Sequence, residues 1–106
     1  MITQNGSFDS NAPQTESWTI SAGDYLNKLG GEQIEYECRR RLEKGCKELV
    51  VDFSETEIIN SIGISILLGV IDTASNNGAK VVFSDVNEGT VELFEMLGLT
   101  KHVTLA

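Results

Sequence analysis

Basic residues are scarce in this chain: eight Lys and Arg stand against sixteen Asp and Glu, a formal charge of -8 over 106 residues. Nucleic-acid binding depends on clustered Lys and Arg, so DNA and RNA are excluded as expected partners. The one basic cluster, Arg39-Arg40-Arg41 with Lys44 and Lys47, follows Glu32, Glu35 and Glu37 along one expected helix. Acids near a helix start and bases near its end suit the macrodipole, so the cluster reads as a solvated helix face. Histidine occurs once, at His102, and cysteine twice, at Cys38 and Cys46, which leaves no set of ligands for a zinc site. No metal or cofactor is expected, and the cysteines read as reduced thiols of a cytoplasmic protein. The opening "MITQNGSFDSNAPQTES" lacks the basic and apolar regions of a secretory signal. The apolar run from Ile58 to Ile71 is shorter than the ~20 residues that span a bilayer and carries Asn60, Ser61 and Ser65, so membrane insertion is not expected.

What remains is enough apolar residue, 41%, for one domain with one core. Residues 1–15, polar and holding the only proline, read as a flexible tail or a weak edge strand, with a domain at 16–106. "SWTISAG" offers a short strand with Trp18 and Ile20 on one face. From Glu32 to Lys44, Ile34, Cys38 and Leu42 recur every four residues, with Glu35/Arg39 and Glu37/Arg41 as i,i+4 pairs, which predicts an amphipathic helix ended by Gly45. Leu49-Val50-Val51 reads as a central strand buried on both faces. A helix through Asn76, a strand at "AKVVFSD", a helix in "NEGTVELFEMLGL" and a last strand at Val103 to Leu105 follow. The alternation implies a small α/β layer with one sheet, mixed or mostly parallel, and helices on one or both sides. The expected core within residues 47–105 is Val50, Val51, Ile66, Leu67, Val70, Val82, Phe94 and Leu97.

The stretch "EIINSIGISILLG" breaks its apolar run with Asn60-Ser61-Ile62-Gly63. Between a buried strand and a buried helix, the first helical N–H groups need acceptors, and Asn and Ser are capping side chains. Gly63 permits a close backbone approach at the helix start. Catalysis is poorly supported. A nucleophilic Ser61 would need a base, and the only histidine is far along the chain; Asp52 with Glu55 or Glu57 reads as solvated charge. No P-loop sequence occurs, and Gly30-Gly31 before the expected helix is a weak anion signal.

Four segments together resemble the STAS domain of the anti-sigma factor antagonists: Asp52-Phe53-Ser54, Asn60-Ser61-Ile62-Gly63-Ile64, Gly78-Ala79-Lys80-Val81-Val82 and Leu97-Gly98-Leu99. The resemblance extends over residues 42–105. Upstream, Gly23-Asp24-Tyr25-Leu26 follows that family's first turn only in part, with Leu26 where an Asp would stand. The resemblance implies a non-catalytic interaction module of bacterial signal transduction and transcription regulation, with residues 60–63 as the partner-binding loop. Its implied partner is an anti-sigma factor-like kinase or another regulatory protein. In that family the Ser or Thr before the loop glycine accepts phosphate, which adds about -1.5 to -2 charges and releases the partner. Here that position is Ile62, so the usual switch should be absent, with Ser61 as the alternative acceptor. The rival readings are a regulatory or scaffold subunit of a signalling or lipid-transport complex, and a homo-oligomeric scaffold.

Overall fold

The computed structural model describes residues 17–106. In chain order these form β1 (Ser17–Ser21), β2 (Tyr25–Leu26), α1 (Lys28–Glu43), β3 (Glu48–Asp52), β4 (Ile58–Ile59), α2 (Ser61–Asn76), β5 (Lys80–Ser84), α3 (Glu88–Met96), a 3-10 turn (Leu99–Lys101) and β6 (Thr104–Leu105). The expected tail at 1–15 lies outside the described residues.

Four strands make one sheet in the order β1-β3-β5-β6, and every neighbouring pair is parallel. Each step between neighbours is a helical crossover, the connection that parallel strands require. Cross-strand register puts Trp18 beside Leu49 and Val81, and Ile20 beside Val51, Phe83 and Leu105. On this face α1 contributes Ile34 and Cys38, α2 contributes Leu67, Val70, Ile71 and Ala74, and α3 contributes Phe94, all in one core cluster. Phe53, Phe83 and Phe94 meet edge-on or tilted, with centroids 5.0 to 5.7 Å apart, the geometry that aromatic quadrupoles favour. All three helices therefore cover one side. Thr19, Val50, Val82 and Thr104 line the opposite side.

That one-sided arrangement corrects the expected core at three positions. Val50 is half-buried on the face opposite the three helices of the described residues, and Ile66 is half-buried between α1 and α2. Leu97 is 49% exposed. It is the residue that ends α3, and the left-handed Gly98 (φ 81°) then turns the chain so that Leu99 enters the core in its place. Val51, Leu67, Val70, Val82 and Phe94 are buried as expected.

Helix α1 starts four residues before the expected Glu32. Asn27 caps it by accepting a hydrogen bond from the Gly30 N–H at 3.0 Å, and Gly30-Gly31 lie within the helix rather than before it. A Cβ at Gly31 would stand 3.0 to 3.2 Å from the Ile66 side chain, so this glycine lets α1 and α2 pack closely. The earlier start leaves no acidic residue in the first turn of α1, which corrects the expected acid-to-base gradient, while Arg40 and Arg41 do occupy the last turn. Glu35 and Arg39 pair at 3.7 Å as expected. Arg41 instead lies over the Trp18 ring, 4.2 Å from its centroid, a cation–π contact that ties the end of α1 to β1.

Candidate functional site

Asn60 is the cap of α2. Its Oδ1 accepts from the Gly63 N–H at 2.8 Å, and its extended backbone (φ -97°, ψ 170°) is that of an N-cap residue. Ser61 is the first helical residue and is exposed; Ile62, the second, is 50% exposed. Ile62 is therefore on the surface and not folded under beside the part-buried Ile64 and buried Leu67. Ser65 is exposed one turn farther along.

Gly63 is buried, and a Cβ there would stand 2.6 Å from the Leu26 carbonyl oxygen. The neighbour is backbone and cannot step aside. The same Leu26 oxygen accepts from the Asn60 N–H at 3.0 Å. The close approach expected at Gly63 is thus filled by the chain's own strand β2, which pairs in parallel with β4 as a separate two-stranded sheet, Tyr25 against Ile58 and Leu26 against Ile59. Two residues per strand are too few to leave a periodic signal, and this is the part of the site that sequence reasoning missed. Thr56, a buried polar residue, locks the same region by donating to the Gly23 carbonyl at 2.6 Å. Asn60 Nδ2 also donates to Tyr25 Oη at 3.4 Å. The start of α2 is held from below by backbone contacts, while its outer side carries Ser61, Ile62 and Ser65. These three line a shallow groove with Ile66 and with Lys28 and Glu32 of α1.

The catalytic alternatives do not assemble. His102 borders a different groove with Asp72 and Ser75, and Asp72 is eleven residues along α2 from Ser61, roughly 16 Å by helical rise. Asp52 accepts from the Ser54 N–H at 2.9 Å and from its hydroxyl at 3.2 Å, which closes the turn after β3. Among the described residues, no group of three or more His, Cys, Asp and Glu could hold a metal ion. No helix among them is long and apolar enough to cross a membrane.

Cys38 and Cys46 are both buried. Burial, and after it the neighbouring Cys46, push the Cys38 thiol from its ordinary 9.0 up to about 11, with Glu35 raising it further and Arg39 opposing. Thiolate chemistry is thereby suppressed at neutral pH. The Cys46 Sγ–H donates to the Glu48 carbonyl at 3.1 Å.

The STAS domain profile matches residues 29–106. Among solved structures, the chain is similar to the anti-sigma factor antagonist SpoIIAA in its unphosphorylated form, with 13% identity, a TM-score of 0.71, and coverage of 87% of this chain and 80% of that one. It is similar also to the Bacillus cell fate determinant SpoIIAA in its phosphorylated form, at 16% identity and TM-score 0.70, covering 91% and 87%. The NMR structure of TM1081, a Thermotoga maritima protein, aligns at 16% identity and TM-score 0.76, covering 86% and 74%. No curated protein sequence gives a significant match. At these identities the structures speak for the fold.

Proposed function

The chain belongs to the STAS domain family, and on that premise we propose that residues 16–106 act as a non-catalytic interaction module whose partner-binding loop is Asn60, Ser61, Ile62 and Gly63. The partner is an anti-sigma factor-like kinase or another regulatory protein of the cytoplasm. The observation that carries the reading is Ile62: a residue without a hydroxyl, 50% exposed, at the helix-start position where the family's antagonists carry their phosphate acceptor. Such a loop keeps one charge state, and its partner affinity is not set by phosphate at that position.

Incubation with the kinase-like partner and ATP should leave the unaltered protein unmodified, whereas Ile62→Ser should create an acceptor. Ile62→Asp should weaken binding, since an unpaired carboxylate would have to be desolvated in an apolar contact at a cost of several kcal/mol. Undiminished binding by a folded Ile62→Asp protein would place the partner elsewhere.

One observation favours a second reading. Ser61 is exposed in a groove lined by Lys28 and Glu32, so a phosphate on Ser61 would meet a helix start and a cation, with one carboxylate opposing. In this version the chain is a regulatory or scaffold subunit, of a signalling or lipid-transport complex, switched one residue earlier. Stoichiometric phosphate on Ser61, lost in Ser61→Ala, decides for it.

A further inference from the structure

The segments Asp24-Tyr25-Leu26-Asn27-Lys28-Leu29-Gly30 and Glu57-Ile58-Ile59-Asn60-Ser61-Ile62-Gly63 share one pattern: acid, two apolar residues, Asn, a polar residue, an aliphatic residue, Gly. The structure sets the two copies side by side. Tyr25 pairs with Ile58 and Leu26 with Ile59, Asn27 and Asn60 each cap a helix through the N–H of the following glycine, and the Glu57 N–H donates to the Asp24 carbonyl at 2.9 Å. The two helix starts therefore lie side by side. Leu29 corresponds to Ile62, and both are exposed, at 67% and 50%; Tyr25 and Ile58 correspond as well, exposed at 45% and 58%.

From this juxtaposition we infer that the docking surface has two lobes, and that the α1 start, centred on Leu29 and Tyr25, is a second copy of the Ile62 loop engaged by the same partner. The inference rests on the reading of residues 60–63 as a partner contact. Charge identifies the occupant. Asp24 and Glu57 are exposed beside the apolar pairs and Glu32 borders the groove between the helices. Lys28 is the single basic residue in either copy. Two neighbouring apolar patches flanked by acids, Leu29 with Tyr25 in one groove and Ile62 in the next, fit a protein surface with aliphatic side chains flanked by Lys or Arg. They disfavour a second copy of this chain, which would bring like charges together.

The test uses the full 15N-labelled chain and a synthetic amphipathic helical peptide with a leucine face flanked by lysines. Amide shifts should change in both 24–31 and 57–66, and Leu29→Asp and Ile62→Asp, each verified as folded by its melting midpoint, should each weaken binding by about tenfold or more. Peptides with Glu in place of Lys, or Ser in place of Leu, should not bind. Shifts confined to 57–66 and indifferent to Leu29→Asp would overturn the second lobe and leave the loop reading standing. Shifts at neither segment would overturn both. Equal binding of either control peptide would overturn the assigned chemistry, and a dimer in sedimentation that Leu29→Asp dissolves would give the surface to a second copy.

Discussion

At the scale of single residues, the start of α2 is determined by what Asn60 and Gly63 each must do. Asn60 satisfies a helical N–H that the helix itself cannot, so Asn60→Ala should destabilise the protein by about 0.5–2 kcal/mol in urea titration, and Asn60→Asp should retain most of that cap. Gly63→Ala should cost about 1–3 kcal/mol, because the methyl would need space now occupied by the Leu26 carbonyl oxygen. A neutral Gly63→Ala would mean that β2 can withdraw from the helix start. The Cys38 thiol, held up at about 11 against 9.0 when unperturbed, gives a pH signature. Between those values the folded protein binds the proton that the unfolded chain has released, so this group's contribution is complete below about pH 9 and falls as pH rises toward 11. Cys38→Ser, whose hydroxyl does not titrate there, should show a shallower loss of stability over that window, measured as the difference in urea midpoint between pH 8.5 and 10.5.

At the scale of elements, helix α2 was legible because its signals agree: an Asn at its start, a sustained apolar run and an Asn-Asn-Gly close, ending with Gly78 at φ 73°. Leu67 sits at the centre of that helix's buried stripe. Leu67→Ala should cost about 2–5 kcal/mol in chemical denaturation, and a change within error would mean that the stripe faces elsewhere. The start of α1 was not legible, since Gly30-Gly31 carry a propensity penalty that argues against helix. Their reason is tertiary: Gly31 makes room for Ile66. The burial of Leu49 and Val51 was readable, but the apolar run Leu49-Val50-Val51 could not say that the helices of the described residues all pack on the Leu49 and Val51 face. The site divides in the same way. Its cap followed from local sequence, whereas the exposure of Ile62 came only with the structure, and the β2–β4 ladder that positions both depends on a close approach between distant segments, which composition and spacing do not encode.

At the scale of the whole molecule, the dominant quantity is the imbalance of sixteen acids against eight bases. Five of the eight bases lie between Arg39 and Lys47, around the end of α1, so the segments at the opposite, N-terminal ends of α1 and α2 carry acids with little compensation. A net charge this far from zero destabilises the compact state through self-repulsion while keeping the protein soluble. Local ion pairs work the other way, but the Glu35–Arg39 contact is a surface pair at 3.7 Å, a type worth about 0–1 kcal/mol. Relief of repulsion among the excess acids is expected to outweigh what screening takes from that pair. Raising NaCl from 10 mM to 500 mM shortens the Debye length from about 30 Å to well under 10 Å, which removes most of the long-range repulsion. The melting midpoint should rise, by about 4–8 °C for each kcal/mol relieved in a domain of this size. The same salt step should leave the effect of Leu67→Ala unchanged, because a cavity in an apolar core does not sense ionic strength. If the midpoint fell instead, attractive pairs would dominate the acidic surface, and the acid-flanked helix starts could not be treated as an uncompensated field that selects a basic partner.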